Sequence, residues 1–161
     1  MSHIRGIVVR LRTKNQSNAG TDDHIYIGVV GKGGGREFPL DVRGFDDFEE
    51  GSDVKYWFGT VWDGSLLSGA RKPYRSETGN INDPAWFRME LDEIDYVYVK
   101  KQGNNTTAGD DAWKMDSIEV SLFGASPQRR TFSTANDLWF ANEFGRQVWL
   151  TEVIRRSLIS K

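Results

Sequence analysis

The sequence predicts an all-β fold, an antiparallel β-sandwich, from three observations. Its 161 residues include 17 Gly, 9 Phe, 6 Trp and 5 Tyr, a composition typical of short strands joined by tight turns. Several segments alternate apolar and polar residues with the period of two that a half-buried strand requires. Polar, glycine-rich segments separate these strands, as in sandwiches.

Eight short strands are predicted along the chain. In the first, Ile7, Val9 and Leu11 share one face of the strand, whereas Arg10 and Arg12 lie on the other. The eight strands cover residues 7–11, 25–29, 37–40, 54–58, 96–100, 118–122, 131–134 and 147–150. A terminal helical turn is predicted over residues 153–159.

We expect one domain over residues 1–161, with an irregular insertion at about 60–84 and a short C-terminal tail at about 151–161. The net charge of −2 gives no reason to expect nucleic-acid binding, and the absence of cysteine excludes disulfides and thiolate metal sites. No apolar run is long enough for a transmembrane segment, and residues 1–12 lack a signal-peptide pattern. We therefore expect a soluble or peripheral membrane protein of unknown compartment.

Three acidic patches follow or precede predicted strands, at residues 22–23, 46–50 and 110–111. Hard divalent cations bind several carboxylate and carbonyl oxygens, and loops that are distant in sequence gather at the ends of a sandwich. One interpretation is a calcium site. The other is that these residues are solvated or cap turns, and the residue pattern leaves both open.

Catalytic groups are sparse in this sequence. His3 and His24 are the two imidazoles, and neither adjoins a nucleophile motif. The glycine-rich residues 32–36 lack the spacing of a phosphate-binding loop and predict a hairpin turn instead. We therefore predict that the chain is not an enzyme. A small hydrolase that uses the clustered carboxylates is the weaker alternative.

Aromatic residues in loops are candidates for a contact surface. Exposed aromatics suit a membrane interface or a partner protein, although these side chains also have the option of packing on the sandwich edge. The candidate membrane or partner contacts in the insertion are Trp62, Leu66, Leu67 and Tyr74. By contrast, Trp113 and Trp149 adjoin predicted strands and are predicted to pack in the core.

Three blocks of the sequence resemble the PLAT (lipoxygenase homology) domain family. NAGTDDHIYIGV, residues 18–29, resembles a family loop that ends in Ala-Gly-Thr-Asp and enters a strand. The second and third blocks are DDFEEGSDVKYWF, residues 46–58, and DYVYVKKQGNNTTAGDDAWKMDSIEV, residues 95–120. The resemblance implies a sandwich of two four-stranded sheets. It also implies a non-catalytic module that docks on lipid or protein, in several members through calcium.

The resemblance further implies a set of calcium ligands, in which Gly20 and Ala112 contribute carbonyl oxygens and the aspartates contribute carboxylates. The set is Asn18, Gly20, Thr21, Asp46, Asp47, Asp111 and Ala112. Asn18 stands where toxin members of the family have an acidic ligand, so calcium affinity should fall. Gly109 stands where those members carry an exposed aromatic side chain. Trp62, Leu66 and Leu67 are the candidates to replace it.

Two functions follow from these observations. The first is calcium-assisted docking to a phospholipid membrane or a lipid-associated partner. The alternative is a metal-independent protein–protein interaction module that acts in trans, with the aromatic insertion and Arg155 and Arg156 as its surface.

Overall fold

The computed structural model describes residues 2–21, 24–41, 47–67, 76–77, 82–102, 112–135, 137–141 and 147–154. Within these ranges eleven strands are present. They are β1 (Gly6–Thr13), β2 (His24–Gly31), β3 (Gly34–Pro39), β4 (Asp53–Gly59), β5 (Ser76–Glu77), β6 (Ile94–Gln102), β7 (Trp113–Phe123), β8 (Arg129–Thr134), β9 (Leu138–Phe140), β10 (Gln147–Trp149) and β11 (Thr151–Glu152). Short 3₁₀ helices cover Gly64–Leu67, Pro84–Phe87 and Leu91–Glu93. No helix in the described ranges is long and apolar enough to cross a lipid bilayer.

The strands form two sheets that enclose one core. The first sheet has the order β11-β8-β7-β1-β4-β5, with β9 also paired to β7, and the second has the order β10-β6-β2-β3. All pairs are antiparallel except the short β4–β5 pair. The predicted all-β sandwich is confirmed. Strands β5, β9 and β11 enlarge the first sheet beyond four strands, and they have only two or three residues each, too few to show a period.

The core follows from the alternation in the sequence. Inward-facing Ile, Val, Leu and Phe side chains of both sheets form a single buried cluster. In β7 the residues of this buried cluster have odd numbers up to Met115 and even numbers from Ile118 onwards. The change lies where the pairing register with β1 shifts by one residue, between Arg12 and Thr13. This β-bulge interrupts the period of two. The sequence therefore predicted only the second half of β7.

Two further predictions concern turns and the chain end. Gly31 pairs with Gly34 across a two-residue turn, and Gly34 has a φ of 117°. The hairpin turn predicted at residues 32–36 is confirmed at residues 32 and 33, whereas residues 34–36 already belong to β3. The predicted helical turn at 153–159 is wrong where it is described. Val153 continues from β11 by donating its N–H to the carbonyl of Thr131, and residues 155–159 lie outside the described ranges.

Arg130 on β8 joins the two sheets. Its Nε and Nη2 donate to the Glu152 carboxylate at 2.9 and 2.6 Å, which fixes β11 to β8. Its Nη1 donates to the carbonyls of Leu91 and Ile94 at 2.7 and 3.0 Å, at the start of β6 in the second sheet. The bidentate hydrogen bond with Arg130 lowers the pKa of the Glu152 carboxyl.

Replacing Glu152 with Gln is expected to lower the free energy of unfolding at pH 7 by about 0.5–1 kcal/mol, because the ion pair is partly exposed. The folded-state pKa of Glu152 lies below its unfolded value. The ion pair therefore contributes fully above pH ~4.5, and its contribution is lost as the pH falls through the lowered pKa. The free energies of urea unfolding of wild type and variant, compared at pH 7 and at an acid pH below the lowered pKa of Glu152, should thus converge at the acid pH. Glu119→Gln, on exposed β7 surface, is the control. An E152Q deficit of equal size at both pH values would contradict the assignment.

Candidate functional site

Three chain segments meet at one end of the sandwich, which we call the acidic-loop end and define by residues 13–21, 47–52 and 112–114. The N–H of Lys114 donates to the carbonyl of Ala19, and the N–H of Lys14 donates to the carbonyl of Lys114, each at 3.0 Å. The N–H of Thr21 donates to the carbonyl of Phe48 at 3.2 Å. Backbone hydrogen bonds therefore hold these segments together.

Residues 18–21 approach the backbone of the second segment closely. Asn18 adopts a left-handed conformation with a φ of 63°, and its N–H donates to Glu50 Oε1 at 2.7 Å. A Cβ atom on Gly20 would lie 3.1 Å from the carbonyl oxygen of Phe48 and 3.2 Å from the nitrogen of Glu50. Glycine thus permits this approach, because any side chain would press on backbone atoms.

Asp47 is the acidic side chain of the predicted set that lies within the described ranges. Only 8% of the residue is exposed. Its Oδ1 accepts a hydrogen bond of 2.6 Å from the hydroxyl of Tyr56, a buried residue of β4. Asp47 therefore helps to fix its own loop to the sheet, in addition to any role as a ligand.

The predicted ligands are only partly described. Asn18, Gly20, Thr21, Asp47 and Ala112 lie at the acidic-loop end, with Ala112 directly before β7. Asp46 and Asp111 lie outside the described ranges. Within those ranges no three His, Asp or Glu side chains form a cluster that would hold a metal ion. The oxygen donors that are present fit calcium in kind, since it binds carboxylate, amide and carbonyl oxygens.

Trp113 supports this end from within the core. Its Nε1 donates to Thr13 Oγ1 at 3.0 Å, and the residue is fully buried. Its ring packs on Phe48 and Phe140, with centroid distances of 6.2 and 4.9 Å. Trp113 thus contacts two of the three segments of the acidic-loop end, and its predicted core position is confirmed.

The sequence interpretation missed a buried cation at this end. Lys101 lies opposite Ile25, near the start of β2, and is only 1% exposed. Lys101 has an interaction partner. The signal was available, because Val97, Val99 and Lys101 follow each other at a period of two on the inner face of β6.

Trp62, the first of the predicted contact residues of the insertion, does not lie at the acidic-loop end. β4 ends at Gly59, which pairs with Gly6 at the start of β1, so the insertion begins at the opposite end of an eight-residue strand. That distance is roughly 25 Å. Trp62 packs its ring on Phe123 at a centroid distance of 5.5 Å and donates to the carbonyl of Gln128. Trp62 therefore lies far from the acidic-loop end.

Of the other predicted contact residues of the insertion, only Leu66 is fully described. The carbonyl of Leu66 accepts a 2.6 Å hydrogen bond from Lys55 Nζ, which holds this turn to β4. The side chain of Leu67 and the whole of Tyr74 lie outside the described parts of the chain. Their proposed contact role stays a prediction.

A groove of about 260 Å³ on the first sheet bears on the hydrolase alternative. Glu119 and Glu152 line it together with Arg130. A carboxyl group that acts as a general acid needs a raised pKa. Arg130 instead lowers the pKa of Glu152, which does not suit that carboxyl group to the role of a general acid.

The two histidines each face one carboxylate. His24 Nδ1 lies 3.1 Å from Asp41 Oδ2, and His3 Nδ1 lies 2.6 Å from Glu90 Oε1. Burial raises the pKa of Asp41. The pairs lie at opposite ends of the sandwich, at the start of β2 and beside the start of β1, so they do not form one catalytic group.

Sequence comparison identifies related proteins. The profile of the family described as PLAT/LH2 domain matches residues 7–151. A phospholipase C of Clostridium novyi is 28% identical over 123 residues, which make up 76% of this chain and 24% of that protein.

Structure comparison finds the same fold in longer proteins. The alpha-toxin of Clostridium absonum has a TM-score of 0.60 at 19% identity, over 92% of this chain and 31% of that chain. Coral 8R-lipoxygenase, described as activated by calcium through a C2-like domain, has a TM-score of 0.54 at 18% identity, over 91% of this chain and 17% of that chain. The chain thus spans a third or less of each of these proteins.

Proposed function

Because the chain belongs to the PLAT/LH2 domain family, we propose that it is a non-catalytic binding module. It docks on a phospholipid surface through its acidic-loop end, with the help of calcium. The observation that carries the proposal is the junction of residues 18–21 with residues 47–52, which gathers oxygen donors from separate loops.

The comparisons support the ligand and the surface. A coral lipoxygenase that shares the fold is described as calcium-activated through a C2-like domain. The relative with the sequence match is a phospholipase C, an enzyme named for its lipid substrate. Since the chain spans about a quarter of that relative, its enzymatic activity is not carried over to this chain.

The acidic-loop end supplies the means of docking. A bound calcium ion would be held by the protein carboxylates and would attract the negatively charged lipid phosphates. Gly20 and Ala112 would offer carbonyl oxygens, and Asp46, Asp47 and Asp111 would offer carboxylates. The Tyr56 hydroxyl orients Asp47, so this carboxylate needs little reordering. Without the metal, the same carboxylates repel anionic phosphates.

The expected calcium affinity is weak. Asn18 offers an amide oxygen in place of a carboxylate, and its N–H already holds the Glu50 side chain. Fewer charged ligands lower calcium affinity, and weak calcium-binding modules have dissociation constants of roughly 0.1–1 mM. Calorimetric titration with calcium alone should therefore show binding in this range.

The double variant Asp46→Asn, Asp111→Asn is expected to lower calcium affinity by roughly tenfold or more. It should also abolish calcium-dependent sedimentation with vesicles that mix phosphatidylcholine with phosphatidylserine. The reason is that the variant removes two charges while it keeps side-chain size. Asp92→Asn is the matched control, because Asp92 is exposed in the 3₁₀ helix before β6.

The outcomes separate the alternatives. Calcium-dependent sedimentation that chelator reverses, and that D92N retains, supports the proposal. Absence of calcium uptake at millimolar levels contradicts it. If the protein does not sediment with vesicles in either condition, the metal-independent protein-interaction module is the better explanation.

A further inference from the structure

The outer face of the second sheet carries exposed aromatic rings. We call it the aromatic face and define it by Tyr96, Tyr98, Trp149, Glu37 and Lys100. Trp149 is 60% exposed and Tyr96 is 47% exposed. Their ring centroids lie 4.6 Å apart, with an angle of 36° between the rings. The predicted core position of Trp149 is wrong, because Val148 and Leu150 take the inward positions.

The indole of Trp149 is held in place but not covered. One side of its ring packs on Tyr96, while most of the residue stays in contact with solvent. β10, which carries Trp149, is the edge strand of its sheet. A large exposed apolar ring that is already fixed loses little entropy when it binds a flat ligand.

The surface of the sheet beside the Trp149 and Tyr96 rings is flat. A Cβ atom on Gly28 would overlap the ring of Tyr98, so the tyrosine lies flat across β2. Its hydroxyl donates to Glu37 Oε2 at 2.8 Å. Burial, together with the hydrogen bond to Glu37, raises the pKa of Tyr98 to about 12, so the hydroxyl keeps its proton at neutral pH.

Polar groups flank the rings and carry no net charge. Lys100 Nζ donates to Glu37 Oε1 at 3.0 Å, and the ammonium lies 5.4 Å from the ring centroid of Tyr26. Gln147 pairs with Lys100 in register and is exposed. The carboxylate, ammonium and phenol each keep unused hydrogen-bonding capacity. This pairing of charges suits a neutral, hydroxyl-rich ligand and gives an anionic lipid no attraction.

We propose that the aromatic face binds a neutral β-linked oligosaccharide. A pyranose with equatorial hydroxyls has a flat C–H surface that packs on an aromatic ring, and its hydroxyls both donate and accept hydrogen bonds. The sugar ring stacks on the open side of the Trp149 indole. Its hydroxyls reach Gln147, Lys100 and Glu37. This site is separate from the acidic-loop end and does not depend on calcium.

Isothermal titration with cellohexaose and chitohexaose tests the proposal on the full chain, in the presence of chelator. We expect the wild-type chain to bind at least one of the two. Trp149→Ala should weaken binding by roughly tenfold or more, because it removes the stacking surface. Glu37→Gln should weaken it less, since the amide keeps one acceptor.

Trp86→Ala is the matched control, because Trp86 is 63% exposed but does not belong to the aromatic face. It lies in the 3₁₀ helix at Pro84–Phe87, which packs against Gly59 at the end of β4 that is opposite to the acidic-loop end. It should bind both sugars like wild type, and circular dichroism should show all variants folded. Failure of the wild-type chain to bind either sugar overturns the proposal. So does binding that W149A retains, or that W86A loses to the same extent. Loss of calcium-dependent vesicle binding alone would contradict the proposed function and leave this result unaffected.

Discussion

Replacing Trp113 with alanine is expected to lower the free energy of unfolding by about 3–5 kcal/mol. The residue is fully buried, and its removal would leave a cavity between Phe48 and Phe140. It would also leave the buried hydroxyl of Thr13 without the hydrogen bond that it accepts from the indole N–H. Urea unfolding followed by far-ultraviolet circular dichroism measures the change.

A milder variant separates the two contributions of Trp113. Trp113→Phe keeps an aromatic ring but removes the hydrogen bond to Thr13, and we expect it to cost about 1–2 kcal/mol. Trp86→Ala, at a well-exposed position, should change stability by at most about 0.5 kcal/mol. If W113A were no less stable than W86A, Trp113 would not be the support of the acidic-loop end.

Replacing Lys101 with methionine is expected to lower the free energy of unfolding by about 3 kcal/mol. The side chain is almost fully buried on the inner face of β6 and is not without a partner. Methionine fills a similar volume but removes the ammonium group and the interaction that it makes. A loss of this size would identify a buried charge that the fold requires beneath the acidic-loop end.

The neighbouring lysine is the control for this experiment. Lys100 lies on the outer face of the same strand, where it pairs with Glu37 at 2.9 Å. Because that pair is partly exposed, Lys100→Met should cost about 1 kcal/mol or less. Equal losses for K100M and K101M in thermal unfolding would contradict the assigned difference in burial.

Much of the fold was predictable because its signal is local. The eight predicted strands correspond to β1–β4, β6–β8 and β10, and the longer ones among them keep a period of two over several residues. The resemblance to the PLAT family is confirmed by the match over residues 7–151. The short strands β5, β9 and β11 were missed, because their pairing depends on neighbours that are distant in sequence.

The candidate site was predictable in type but not in placement. Sequence alone determined the eight longer or better-patterned strands, the family resemblance and the presence of oxygen donors in Asn-, Gly- and Asp-rich loops. Only the tertiary structure decided that Trp62 lies at the end opposite Gly20, that Lys101 is buried and that Trp149 is exposed. The physical reason is that alternation assigns a side chain to one face of a strand. Which face is covered, and which loops share an end, depend on strand pairing across the whole chain.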